Sequence, residues 1–384
     1  MAAARHTTAD RLLVWDLPTR LFHWLLAGAF ALAWFTHAYD RYLDIHVFAG
    51  YLFLGLLLFR LVWGFVGGYY ARFRAFGYRW GVARDYLLAT LRGAARRYLG
   101  HNPAGAWAIF FMLLLGLVIS VSGLLVLGGE ERHGPLAGML GFAAAGRFRE
   151  VHALSALAMV ALVLAHLAGV FFESWRHREN LVSSMISGAK RGPGVSSRRY
   201  APVGAVLLVL VLAGAGVQFL GYVRAAPGQP YLPFTGPALA MNAVWEDECG
   251  SCHLAFHPTL LPRRSWAALL DGQASHFGDD LALDAATLAE LGKFARDNAA
   301  ETAQTEAAWK TDQSIAAQQT PLRITETAYW KHKHRALSGD VWQAPAVLAR
   351  ANCAACHLDA GHGTFEDAAM RLPVPGAQLQ TTVR

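Results

Sequence analysis

The sequence predicts a mainly α-helical chain in two parts: a bundle of membrane-spanning helices, then a domain of short helices and loops. Three observations carry this. Of 384 residues, 54% are hydrophobic and 16% charged, with mean hydropathy +0.28, whereas a soluble domain carries about 25% charged residues. The apolar residues gather into five long runs in the first 223 positions. The charge also divides, with 22 Lys and Arg against 10 Asp and Glu in residues 1–224, and 12 against 17 in residues 225–384. This composition excludes both a disordered chain and an ordinary water-soluble globule. Nucleic-acid binding is excluded as well, because the arginines flank apolar runs instead of lining a groove.

The five runs are Leu21–Thr36, His46–Val66, Ala104–Leu127, Val151–Phe172 and Val203–Val223. Each is near the roughly 20 residues that cross a bilayer as a helix. Asp10, Arg11, Asp16 and Arg20 crowd the segment before the first run, so no cleavable signal peptide is expected and the first span is retained. Connection 67–103 carries Arg72, Arg74, Arg79, Arg84, Arg92, Arg96 and Arg97 against Asp85 alone, and 173–202 carries Arg176, Arg178, Lys190, Arg191, Arg198 and Arg199. In contrast, 37–45 has only Arg41, and 128–150 balances Arg132, Arg147 and Arg149 with Glu130, Glu131 and Glu150. Basic connections stay in the cytoplasm, so the N-terminus is expected inside and the C-terminal domain outside. Gly188–Gly194 reads as a flexible linker between four spans and an added fifth.

Four histidines lie inside the spans: His23 in the first, His46 at the outer start of the second, His152 and His166 in the fourth. A polar ring in lipid is costly and usually faces the bundle interior for a purpose. His152 and His166 are fourteen residues apart, within about 40° of four full turns, so both leave one helix face about 21 Å apart along the axis. The alternating directions of the spans place His46 level with His152 and His23 level with His166. That pattern suits two bis-histidine b-haems stacked across the membrane, since imidazole ligates haem iron and bundle cores hold such cofactors. Packing or interfacial roles suffice for His37, His101 and His133, at span ends or in loops. Arg60, fourteen residues after His46, either snorkels to the inner headgroups or pairs with a propionate of the inner haem.

Val14-Trp15-Asp16-Leu17-Pro18-Thr19-Arg20-Leu21-Phe22-His23-Trp24 opens this half, followed by His46 with Gly50-Tyr51, Phe59-Arg60-Leu61-Val62-Trp63-Gly64, and Ala71-Arg72-Phe73. With the two fourth-span histidines, these segments resemble the bacterial cytochrome b561 family, which includes the cytochrome b subunit of nickel–iron hydrogenases. The resemblance covers about residues 10–190. It implies a four-helix dihaem cytochrome b that exchanges electrons with membrane quinone. The fifth span departs from that pattern and holds no histidine.

All four cysteines sit in two motifs, Cys249-Gly250-Ser251-Cys252-His253 and Cys353-Ala354-Ala355-Cys356-His357. C-x-x-C-H is the attachment motif of c-type haem: two thiols bond the haem edge and the adjacent histidine reaches the iron. A zinc site and a thioredoxin-like redox pair are the rivals, but a histidine follows both motifs. Haem is attached in this way outside the bacterial cytoplasmic membrane, which agrees with the charge-based orientation. The remaining iron ligands come from His257, His276, His332, His334 or His362. His257 and His362 follow their own motifs too closely to reach the opposite haem face. His276 stands 23 residues after His253, and His334 stands 23 before His357, which leaves each enough chain to cross over. No methionine lies in these stretches, so bis-histidine ligation is expected over Met/His.

Further segments are Pro258, Leu261-Pro262-Arg263-Arg264-Ser265-Trp266, His276-Phe277-Gly278, Pro321-Leu322-Arg323-Ile324-Thr325-Glu326-Thr327, His334, Gly363 and Phe365. Together with both motifs they resemble the dihaem cytochrome c family over about residues 240–375. The resemblance implies transfer of electrons to small periplasmic haem proteins, and it assigns His276 and His334 to the family's recurring histidines. Helical patterns are expected near Ser265–Leu270, Ala285–Asn298 and Thr305–Gln319.

The expected architecture is therefore a four-helix transmembrane dihaem cytochrome b (1–190), a linker with a fifth transmembrane helix (191–230), and a periplasmic dihaem cytochrome c domain (231–384). The expected cofactors are two non-covalent haem b and two covalent haem c. The expected partners are membrane lipid, quinol and a small periplasmic c-type haem protein, with a homodimer left open. Electrons would run from quinol through the b-haems and c-haems to that acceptor, making the chain an electron carrier or a quinol:cytochrome c oxidoreductase. The rivals are a b-type anchor for a hydrogenase-like dehydrogenase reducing quinone, a superoxide or quinone oxidoreductase, and a haem-based sensor. Two fused c-haems argue against the anchor, and no output domain supports the sensor.

Overall fold

The computed structural model describes residues 11–38, 42–197, 201–223 and 238–373. Asp10, Arg41, Arg198, Arg199 and the expected boundary at 230 lie outside the described residues. The chain forms two compact units. The first holds the described residues of Met1–His37, Ile45–Ser122 and Val151–Gly221; the second holds those of Ala38–Asp44, Gly123–Glu150 and Tyr222–Arg384.

In the first unit, strand β1 (Arg11–Leu13) leads into helix α1 (Leu17–Thr36). Asp16 caps α1 by accepting the Thr19 N–H at 2.9 Å, and Pro18 occupies the first turn, where its missing N–H costs nothing. Helix α2 (Leu43–Val66) is followed by two short 3-10 turns, Tyr69–Ala71 and Phe73–Ala75. Helix α3 (Trp80–Leu91) lies within the first basic connection, where the sequence reading placed no element. Helices α4 (Pro103–Glu130) and α5 (Phe142–His177) are long and continuous, and α6 (Leu181–Ser187) ends at Gly188 in the left-handed conformation, φ +79°. Residues Ala189–Arg191 then form β2, antiparallel to β1 with Leu12 opposite Lys190. The start of the expected flexible linker is thus a strand pinned to the N-terminal segment. Helix α7 (Ala201–Val223) completes the unit.

Among the described residues, four helices, α2, α4, α5 and α7, are long and apolar enough to cross a membrane. Helix α1 covers the first expected span but is not among them. Large apolar side chains stand exposed along these helices, among them Phe65, Leu114, Leu157 and Val206, as a lipid-facing surface requires. Two buried clusters hold the unit together, one around Phe22, Leu56, Phe59, Trp63 and Leu208, the other around Phe53, Leu57, Leu113 and Met159. Helix α7 runs antiparallel to α2: Phe48 meets Phe219 with ring centres 5.8 Å apart, Gly55 faces Val211, and Gly204 faces Trp63.

In the second unit, the end of α4, the start of α5 and the connection between them pack with the C-terminal residues. Glu130, 2% exposed, accepts from Arg149 Nε at 2.8 Å, and Arg132 donates to the Gln304 carbonyl at 2.8 Å. Short helices follow: α8 (Ala243–Gly250), α9 (Arg263–Asp271), α10 (Ala285–Asn298), α11 (Glu306–Ser314), α12 (Ala328–His334) and α13 (Gly339–Gln343). Asn242, Asp284, Thr305 and Thr327 cap α8, α10, α11 and α12 with their side chains. Trp245, Leu261, Trp266, Leu291, Ala295 and Ala299 form this unit's apolar core. Helix α11 ends five residues before the expected Gln319, because Ile315 already turns to an extended backbone.

Candidate haem-binding sites

The two C-x-x-C-H motifs sit on different local frames. Cys249 lies in the last turn of α8, so Cys252 and His253 follow on the chain leaving that helix. Cys353 opens a single 3-10 turn, Cys353–Ala355, and the His357 N–H donates back to the Cys353 carbonyl at 2.9 Å. Burial pushes the Cys249 and Cys353 thiols up to about 11. Burial also lowers His276 and His334 and brings His357 down to about 4, which favours the neutral imidazole that ligates a metal.

Each motif histidine stands beside a second histidine. His253 and His276 stand with ring centres 6.4 Å apart, and His357 and His334 with 6.2 Å. His276 follows a 3-10 turn, and its backbone pairs with Asp279 across a tight loop in which Phe277 and Gly278 both take positive φ. His334 ends α12, stacked on Trp330 at 4.3 Å. In the first unit, His46 of α2 and His152 of α5 stand with ring centres 6.1 Å apart. His23 of α1 has His166 of α5 as an electrostatic neighbour.

These separations suit a metal. Two imidazole nitrogens on opposite sides of one metal ion, each bonded at about 2.0–2.1 Å, hold the ring centres a little over 6 Å apart. Four of the rings also show the second contact that orients a ligating imidazole. Nδ1 lies 2.9 Å from the Ala33 carbonyl for His46, 2.9 Å from Ile119 for His152, 2.8 Å from Leu254 for His253 and 2.8 Å from Trp330 for His334. A proton on Nδ1, donated to the carbonyl, leaves Nε2 with the lone pair that iron takes. The histidines therefore fit haem.

The other candidates occupy different environments. His257 is 4% exposed and uses both nitrogens, Nδ1 with Thr259 Oγ1 at 3.0 Å and Nε2 with the Ala240 carbonyl at 2.9 Å. Its ring fills the space beside Gly363, where an added Cβ would come within 2.3 Å of the His257 Cβ. His332 and His362 are exposed. Arg60 does not snorkel: it is 5% exposed and lies over the Phe73 ring. Sequence reasoning missed this pocket, because Phe73 and Phe76 reach α2 from the turns that follow it.

The family model for prokaryotic cytochrome b561 matches residues 14–188, and that for dihaem cytochrome c matches residues 245–365. The "Probable Ni/Fe-hydrogenase B-type cytochrome subunit" of Azotobacter vinelandii is 30% identical over 210 residues, 46% of this chain and 86% of that protein. The protein of the same description in Cupriavidus necator is 27% identical over 209 residues, 46% of this chain and 85% of its own length. A solved dihaem cytochrome c from Rhodobacter sphaeroides is 33% identical, covering 34% of this chain and all of its own, at a TM-score of 0.30. The b561 match ends at α6, so α7 lies beyond it. The two families imply b-type and c-type haems and electron transfer at a membrane. The chain belongs to the prokaryotic cytochrome b561 family and carries a dihaem cytochrome c region after its last apolar helix.

Proposed function

We propose that the chain passes electrons from membrane quinol through two b-haems and two c-haems to a small periplasmic c-type haem protein. One observation supports this above others: histidines in both units stand in pairs at 6.1–6.4 Å, and two of the pairs include the histidine of a C-x-x-C-H motif. Haem supplies reversible one-electron chemistry when bound, and the protein contributes spacing, ligation and burial. In this reading His46 with His152 and His23 with His166 hold the b-haems. His253 with His276 and His357 with His334 hold the c-haems, which Cys249, Cys252, Cys353 and Cys356 attach.

The domains of this reading are 1–190, 191–230 and 231–384, with α1 and α7 both spanning. Connections rich in Lys and Arg keep the N-terminus in the cytoplasm of a bacterial inner membrane and the dihaem domain in the periplasm. The test is anaerobic mixing of the purified oxidised protein with a quinol analogue, after haem has been counted as pyridine haemochrome. We expect two extractable and two covalent haems per chain, and reduction of the b-haems followed by the c-haems. Another ratio, or c-haems that stay oxidised, defeats the reading.

A further inference from the structure

Arg60 is 5% exposed within a helix that crosses the membrane, and its Nη1 is enclosed with no hydrogen-bond partner among the described residues. The guanidinium carbon lies 4.8 Å from the centre of the Phe73 ring and 5.7 Å from that of Phe76. Gly64 makes this possible, since a Cβ there would meet the Phe73 ring at 2.1 Å. Asp16 lies within electrostatic reach, but no ion pair joins it to Arg60 among the described residues; its Oδ1 caps α1, and its Oδ2 is also enclosed without a hydrogen-bond partner among the described residues. His101 also packs on Phe76, with ring centres 4.4 Å apart and its Nδ1 enclosed without a hydrogen-bond partner among the described residues. His101 lies within electrostatic reach of Arg60, His166 and His23.

A buried guanidinium N–H left without an acceptor is disfavoured in lipid or protein, so the Nη1 side of this pocket has the character of a receptor for an anion. The helical period says which one. Arg60 follows His46 by fourteen residues on α2, as His166 follows His152 on α5. Each pair therefore lies on one helix face, about 21 Å apart in depth. The guanidinium thus faces the bundle interior at the level of His23 and His166, where α2 contributes no histidine. A guanidinium presents two parallel N–H groups that match the two oxygens of a carboxylate. The enclosure keeps out a lipid headgroup.

We propose that Arg60, with His101 beside it, binds a propionate carboxylate of the haem held between His23 and His166. This inference rests on the haem reading above. The grip would fix the orientation of the inner haem and place a positive charge next to it, which favours the reduced state.

The experiment uses the full-length protein in detergent, as wild type, Arg60→Gln and Arg60→Lys. Haem is counted as pyridine haemochrome, both b-haems are titrated potentiometrically, and carboxylate bands are read in the reduced-minus-oxidised infrared spectrum. In Arg60→Gln the potential of one b-haem should fall, the other should hold, two covalent haems should remain, and a propionate band should move. Arg60→Lys should keep the potential close to wild type but still move that band, because the charge stays and the two-point grip is lost. Unchanged potentials and unchanged bands in either variant overturn the proposal. A wild-type protein without haem b overturns the parent reading, and the Arg60 assignment falls with it.

Discussion

Glu366 is the residue whose ionisation the surroundings oppose most plainly. It is 6% exposed, its Oε1 has no hydrogen-bond partner among the described residues, and burial together with Glu131, Asp359, Asp367 and Glu306 raises its carboxyl well above the usual range. Asp359 is already committed, accepting the Thr364 hydroxyl at 2.6 Å and the Glu366 N–H at 2.7 Å. A carboxyl raised in the folded state keeps its proton there after the unfolded chain has lost it, near pH 4.3. Stability therefore falls as pH rises above that value. Glu366→Gln should flatten this slope and raise the unfolding midpoint at neutral pH. Midpoints measured from pH 5 to pH 8 for both proteins check it, and parallel slopes contradict it. Residues of this kind are not legible in sequence, because Glu131 and Glu366 are 235 positions apart. Cys249–His253 and Cys353–His357 are legible because their chemistry lies in five consecutive residues. His276 and His334 needed more: chain length limited the choice, and family resemblance made it.

At the scale of elements, the length of the apolar runs did most of the predictive work. It located α2, α4, α5 and α7, and the helical period set His152 and His166 on one face of α5. It failed for α3, a twelve-residue helix in a stretch dense in arginine, which reads as a basic connection. It also missed the pairing of β1 with β2, since three-residue strands 178 positions apart leave no local signal. The packing of α7 on α2 depends on glycines at their contact, Gly204 above all. A Cβ at Gly204 would meet Trp63 at 2.6 Å and Pro18 at 2.7 Å. Trp63 cannot yield easily: it is fully buried, stacked on Phe59 at 5.8 Å, and its indole N–H donates to Thr19 Oγ1 at 3.1 Å. Gly204→Leu should therefore push α7 away from α1 and α2 at a cost of about 1–3 kcal/mol, the usual penalty of overpacking. Denaturant unfolding in detergent measures it. Gly214→Leu, on the same helix with no atom within 4 Å of its added Cβ, serves as the control and should be near neutral.

For the whole molecule, the decisive question is whether the b-type and c-type centres form one route or two independent sets. In the proposed reading they form one route, with the His46–His152 haem at the outer level and the His23–His166 haem about 21 Å deeper. The two variants His152→Ala and His276→Ala separate the cases, because the first ligand belongs to the first unit and the second to the other. His152→Ala should lose one extractable haem, keep two covalent ones, and abolish reduction of the c-haems by quinol. The ring it removes is braced by the Ile119 carbonyl and Ser122 Oγ, at 2.9 and 3.3 Å. His276→Ala should leave both b-haems reducible by quinol and change the spectrum of one c-haem only, since His253 would keep its iron while losing the ring 6.4 Å away. Normal rates of c-haem reduction in His152→Ala would mean that electrons reach the c-haems without passing the His46–His152 haem. Loss of b-haem reduction in His276→Ala would mean that the two units do not bind their haems independently.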